Sequence, residues 1–132
     1  MASIGVGLLV LCCVERGDRG EDVDYMAEKT VGLRVFPDTA GKMNRDVRAA
    51  AGALLVVSQF TLAARTRKGR RPSYTDAAPP GEAIPLYERF LAVLRSHGVR
   101  VATGVFQALM EVELVNDGPV TILLEPRAGT PA

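Results

Sequence analysis

Three short stretches carry residue types that do chemistry. In Ser58-Gln59-Phe60-Thr61-Leu62, two hydroxyls and a carboxamide interrupt an otherwise apolar run. Burying such groups costs free energy unless they are paired. The stretch is therefore either backbone capping at a strand end or a polar site at the carboxyl end of a central strand. In Asn116-Asp117-Gly118-Pro119-Val120-Thr121, a Gly-Pro peptide separates two alternating segments. Proline removes a ladder donor, and X-Pro bonds alone adopt the cis form cheaply; a plain turn is the competing reading. Arg65-Thr66-Arg67-Lys68-Gly69-Arg70-Arg71 sets five cations in seven residues, which fits phosphate contact or a solvated loop.

Other chemistries lack their parts. His97 is the single imidazole, so a Ser-His-Asp or Cys-His arrangement would have to be built on it alone. Its position suits interaction with a helix C-terminal dipole instead. Glu111 and Glu113 share one strand face at period two, with no burial signal to make them an acid/base pair. Cys12 and Cys13 are adjacent, a spacing that seldom forms a disulfide, and no second Cys pair or His cluster completes a metal site. Two free thiols in a strand suit the cytosol, so a cytoplasmic location is expected. No metal and no cofactor are expected.

The elements that must position these stretches follow from periodicity. A chain of 132 residues, 48% hydrophobic and 23% charged, is the make-up of one ordinary domain, spanning 1–132 with a frayed polar tail over 126–132. Sixteen basic against fifteen acidic residues leave a net charge of +1, so nucleic-acid affinity has to come from local clustering. The apolar run Ile4 to Val14 is far short of the roughly 20 residues that span a bilayer. It reads as a buried strand, and no membrane association is expected. A helix follows from about Asp22, with Val23, Met26, Ala27 and Val31 on one face and Gly32 ending it. Leu33, Val35 and Phe36 give a short strand stopped at Pro37, followed by a loop to Asn44. Ala53 to Leu62 reads as a central strand covered on both faces. Arg65 to Pro80 is loop. Pro85 sits as an early residue of a second helix with Ile84, Tyr87, Phe90, Leu91 and Leu94 on its face, closed by Gly98. Val99 to Val105 is a strand, and two more are expected at Met110-Val112-Leu114 and Val120-Ile122-Leu124.

Taken together, Ser58-Gln59-Phe60-Thr61-Leu62 and Asn116-Asp117-Gly118-Pro119-Val120-Thr121 resemble the signature pair of D-aminoacyl-tRNA deacylases. Supporting stretches are Arg34-Val35-Phe36-Pro37-Asp38 running into Gly41-Lys42-Met43-Asn44, the Lys68-Gly69-Arg70-Arg71-Pro72-Ser73-Tyr74 loop, and Gly104-Val105-Phe106 with Met110. The match runs from about Ile4 to Glu125. Members usually begin with a further strand pair of roughly a dozen residues, carrying an arginine that steadies the Gly-Pro motif. Either the start is misassigned or a sheet edge is missing. Gln107 and Leu109 also depart from the small and acidic residues usual there.

The resemblance implies an α+β fold with a mixed, mostly antiparallel and barrel-like sheet and two main helices. It implies a homodimer, with the active site at the subunit interface, that hydrolyses the ester joining a D-amino acid, or glycine mischarged on tRNA(Ala), to the 3' end of tRNA. Gly118 and Pro119, in a cis peptide, would be the chiral filter whose backbone carbonyls exclude L side chains. Ser58, Gln59 and Thr61 would be the catalytic group. Phe60, Phe106, Ala108 and Met110 would line the pocket, and Arg65, Arg67, Lys68, Arg70 and Arg71 would meet the tRNA. An acyl ester is already activated and the adjacent ribose hydroxyl assists, so orientation and oxyanion donors can suffice without a histidine. Thr61 is a nucleophile or a hydrogen-bond donor, and the lack of a base nearby in sequence favours the donor. Two other readings stand beside this one: a non-catalytic RNA-binding remnant of the same fold, and an unrelated Thr61-dependent small-molecule hydrolase.

Overall fold

A computed structural model of the chain describes residues 1–126; the expected frayed tail lies, but for Pro126, outside the described residues. The elements are β1 (Gly7–Cys12), α1 (Gly20–Gly32), β2 (Phe36–Pro37), β3 (Met43–Arg45), β4 (Ala53–Ser58), a 3-10 turn (Phe60–Ala63), α2 (Pro80–Ser96) and β5 (Arg100–Thr103). The main sheet has the order β1-β4-β5, and both pairings are parallel. Parallel neighbours need crossovers, and here each crossover contains a helix. Because the strand order advances in one direction, both helices fall on the same face and pack on each other. Arg89 of α2 donates to both carboxylate oxygens of Asp24 on α1, at 2.9 and 2.7 Å.

The core follows from these periodicities. Val23, Ala27 and Val31 of α1 and Tyr87, Phe90, Leu91 and Leu94 of α2 close over Leu54 and Val56 of β4, flanked by Leu8, Val10 and Cys12 of β1 and Val101 of β5. Burial of each large side chain contributes about 1.5–3 kcal/mol. Alternation places Leu9, Leu11, Leu55 and Val57 on the opposite face, which no helix covers among the described residues. Strand β1 passes so close to β4 that a Cβ on Gly7 would lie 1.8 Å from the Ala53 carbonyl oxygen, so this position demands glycine.

Four expectations are corrected. The sheet is neither barrel-like nor mostly antiparallel: three strands are parallel, and the antiparallel pairing is the small β2-β3 hairpin. The alternating segments at 110–114 and 120–124 are not strands, because alternation makes a strand only where a neighbour takes the backbone hydrogen bonds, and these make none with another segment among the described residues. Residues 33–35 stay outside any strand, while Met43–Arg45, expected as loop, pairs with Phe36–Pro37. Asp38 drives that pairing: its Oδ1 accepts from the Ala40 and Lys42 amides at 2.8 and 3.0 Å, closing the hairpin. Helix α2 begins at Pro80, with Pro85 inside it, because the missing N–H of Pro80 costs nothing in the first turn. Ile84 accordingly faces solvent, and Ala83 joins the buried face.

Candidate active site

The carboxyl ends of the three parallel strands meet on one edge of the sheet. Cys12 is in register with Ser58, and Val56 with Thr103. Just beyond, the Gln59 amide donates to the Cys12 carbonyl at 2.7 Å and the Gly104 amide to that of Val56 at 3.1 Å. Strand β4 ends at Ser58, the last residue in register with β1, its pairing with β5 having ended at Val56. The chain coils into the Phe60–Ala63 turn, where the Leu62 amide donates to the Gln59 carbonyl at 3.2 Å and the Ala64 amide to that of Thr61 at 3.1 Å. The expected strand Ala53 to Leu62 is thus six strand residues followed by a turn that presents Thr61 to solvent.

Within the turn, Gln59 Nε2 donates to Thr61 Oγ1 at 3.0 Å. That bond occupies a lone pair of the hydroxyl and leaves its proton free to donate outward. No carboxylate or imidazole among the described residues hydrogen-bonds to Thr61, so nothing is placed to take the proton and make an alkoxide. The arrangement is suited to holding a carbonyl or oxyanion in place. Phe60, 57% exposed, packs edge-on against Tyr74 with ring centroids 5.1 Å apart. Phe106 is half-buried against Tyr87, centroids 5.5 Å apart. Ala108 and Met110 are exposed, with the Met110 thioether lying over Gly104.

Behind the turn, the Cys13 thiol reaches the Phe60 carbonyl at 3.7 Å and the Val14 carbonyl at 3.6 Å. Burial and the neighbouring Glu15 push its pKa up, and burial pushes Cys12 from 9.0 to about 12. Both thiols are free and neutral at physiological pH, as packing groups are.

The basic stretch forms a small hairpin closed by reciprocal bonds between Arg65 and Ser73, 2.7 and 2.9 Å. Charge clustering singles out five cations, and the structure divides them. Arg65 is ion-paired with Asp76 at the base, whereas Arg67, Lys68, Arg70 and Arg71 are exposed at the tip and in no ion pair among the described residues.

Gly118-Pro119 is a cis peptide in an exposed loop. Asn116 organises it, its Oδ1 accepting from the Val120 amide at 2.8 Å and its Nδ2 donating to Thr121 Oγ1 at 3.1 Å. Gly118 has φ +148, and a Cβ there would fall 2.8 Å from Val120 Cγ2, so the position requires glycine. Among the described residues, no hydrogen bond or ion pair joins residues 109–125 to Ser58–Leu62. Tyr74 and Cys13 escaped the sequence reading as neighbours of the turn. Tyr74 is one of only three tyrosines and sits in a basic, proline-rich loop, a signal available in the sequence. Nothing in the sequence points Cys13 at Phe60.

Fold and site define a two-layer α+β protein that presents a hydroxyl and a carboxamide, with no imidazole, at the carboxyl edge of a parallel sheet. A family model described as D-Tyr-tRNA(Tyr) deacylase matches residues 1–125. The D-aminoacyl-tRNA deacylase of Geobacter sulfurreducens is 54% identical over 128 residues, 97% of this chain and 84% of its own. That of Alcanivorax borkumensis is 58% identical over 125 residues, 95% of this chain and 86% of its own. The solved structure of a c-Myc DNA Unwinding Element Binding Protein superposes with a TM-score of 0.87 at 38% identity, covering 98% of this chain and 85% of that one. A probable eukaryotic D-amino acid tRNA deacylase, at 17% identity and a TM-score of 0.69, covering 79% of this chain and 76% of that one, shares the fold. The chain therefore belongs to the D-Tyr-tRNA(Tyr) deacylase family of ester hydrolases.

Proposed function

We propose that this chain removes D-amino acids, and glycine mischarged on tRNA(Ala), from the 3' end of tRNA, working as a homodimer in which Gly118-Pro119 of one subunit faces the Ser58–Thr61 turn of the other. The observation that carries this reading is the Gln59–Thr61 pair on an exposed turn with no base beside it. An aminoacyl ester needs no strong nucleophile, because its own ribose hydroxyl assists departure. Oriented donors then do the work, each worth about 2.7–4 kcal/mol of transition-state stabilisation. Ser58, Gln59 and Thr61 are the catalytic group, and Phe60, Phe106, Ala108 and Met110 the pocket wall.

Rejection of L-aminoacyl ends falls to Gly118 and Pro119. A wall of backbone atoms turns away a misplaced Cβ whatever the rest of the side chain is, and glycine, with no Cβ, passes. The lack of any hydrogen bond between the two signature stretches among the described residues supports a filter supplied by a partner subunit. So does the exposure of the segment bearing it: Leu109 at 104%, Val115 at 90% and Leu123 at 82% leave an apolar surface of the kind that subunit interfaces cover. The unpaired cations at the hairpin tip suit tRNA phosphates. Free thiols suit the reducing cytoplasm, and among the described residues no helix is long and apolar enough to cross a membrane.

Incubation with D-Tyr-tRNA tests the reading. Release of free D-tyrosine in proportion to enzyme is expected. Tight binding with the ester intact would make the chain a tRNA-binding protein without turnover and overturn the proposal, as would indifference to the tRNA.

A further inference from the structure

We propose that Tyr74 is a positioning residue for the hydrolysis: its ring braces Phe60, and so holds Gln59 and Thr61, the residues on either side of Phe60, in a fixed relation to the sheet. The inference rests on the reading that the Phe60–Ala63 turn carries the reaction. The Gln59 amide ties the start of the turn to Cys12, and Ala63 is buried at its far end. Between these anchors, Thr61 is exposed and Leu62 is 48% exposed. Only Phe60 reaches a neighbour there: its carbonyl takes a weak contact from Cys13 Sγ at 3.7 Å, and its ring meets Tyr74 edge-to-face with centroids 5.1 Å apart.

Tyr74 can act as a brace because its own segment is pinned on both sides. Before it, Ser73 and Arg65 exchange bonds of 2.9 and 2.7 Å. After it, Arg16 Nε donates to the Thr75 carbonyl at 2.9 Å, the Arg16 amide to that of Asp76 at 2.8 Å, and the Ala78 amide to that of Val14 at 2.9 Å. These bonds fasten residues 73–78 to the loop that follows β1. Phe60 and Tyr74 are the only exposed aromatic side chains among the described residues, they touch each other, and neither belongs to the core. The pair is therefore an attachment of the turn and not part of what holds the fold together. The Tyr74 hydroxyl makes no hydrogen bond among the described residues, so the brace is the ring alone.

The test is kcat and KM on D-Tyr-tRNA and on glycyl-tRNA for the full chain, Tyr74→Phe, Tyr74→Ala, Phe60→Ala and the Tyr74→Ala, Phe60→Ala double variant. Tyr74→Ala is expected to lower kcat about tenfold, the upper scale of one aromatic pair, by the same factor on both esters and with KM unchanged. Tyr74→Phe keeps the ring and is expected to match the unsubstituted chain. In Phe60→Ala, adding Tyr74→Ala should cost nothing further, because the braced ring is already gone. A raised KM with kcat unchanged would make Tyr74 a tRNA contact and overturn the proposal, as would an unchanged kcat, a loss in Tyr74→Phe, or the same loss with and without Phe60. Should Tyr74→Ala fail to fold, Tyr74→Leu keeps bulk without a ring and the same fall in kcat is expected of it; failure of both to fold overturns the proposal by making Tyr74 a packing residue. An unsubstituted protein that cleaves neither ester sinks the reading of the site as well, whereas an active one that does not respond to Tyr74→Ala sinks this inference alone.

Discussion

In the proposed function, Thr61 and Gln59 decide what kind of hydrolysis this edge supports. Because the carboxamide already donates to the threonine oxygen at 3.0 Å, the hydroxyl serves best as an oriented donor. Thr61→Ala is expected to slow release of D-tyrosine by about 10²-fold, the scale of one lost oxyanion donor, while leaving turnover measurable and no aminoacyl adduct on the protein. A covalent adduct at Thr61, detected by mass spectrometry during turnover, would contradict this. At the same scale, burial pushes the Cys12 thiol and the Tyr87 hydroxyl, which interact electrostatically, up to about 12, from 9.0 and 10.0. The folded chain keeps these protons while the unfolded chain sheds them from pH 9 upward, so stability is full below that pH and falls toward pH 12. Urea midpoints at about pH 8 and about pH 10.5 check the sign; the second is expected to be lower, and equal midpoints would contradict the burial of both groups.

At the scale of elements, the β4-to-turn junction and the basic hairpin do different jobs. The hairpin carries its charge away from the sheet, since Arg65 is spent on Asp76 while Arg67, Lys68, Arg70 and Arg71 are in no ion pair among the described residues. Replacing Arg67, Lys68 and Arg70 with alanine is expected to weaken tRNA binding and reduce the slope of log K against log salt by about 2, at roughly 0.7–0.9 per phosphate contact. An unchanged slope would show that the hairpin does not touch the backbone of tRNA. Much of this was legible in the residues. The 3.6 spacing of Val23, Ala27 and Val31, and that of Tyr87, Leu91 and Leu94, gives both helices. The continuous apolar run from Ala53 gives a central strand. The polar interruption at Ser58 marks where that strand ends, although not that it ends in a 3-10 turn. Local patterns could not show the parallel order of the sheet, because strand neighbours are chosen by the crossovers and not by periodicity. They misled at 110–124, where alternation had no partner to pair with. They also missed β3, whose hairpin depends on the several hydrogen bonds of Asp38.

In the whole molecule no hydrogen bond among the described residues joins the two signature stretches: one lies at the carboxyl edge of a parallel sheet, the other in a loop flanked by exposed apolar residues. In the proposed homodimer, one subunit would supply orientation and oxyanion donors and its partner a backbone wall that reads chirality. Selectivity should then depend on the hand of the α-carbon and not on the size of the side chain, because a wall that meets Cβ never samples what lies beyond it. The measurement that tests this account most directly is a paired time course of ester release from D-Tyr-tRNA and L-Tyr-tRNA with one preparation of the protein. The account predicts that the D-tyrosyl ester is cleared while the L-tyrosyl ester decays only at its spontaneous rate. Cleavage of both at the same enzyme-dependent rate would contradict it.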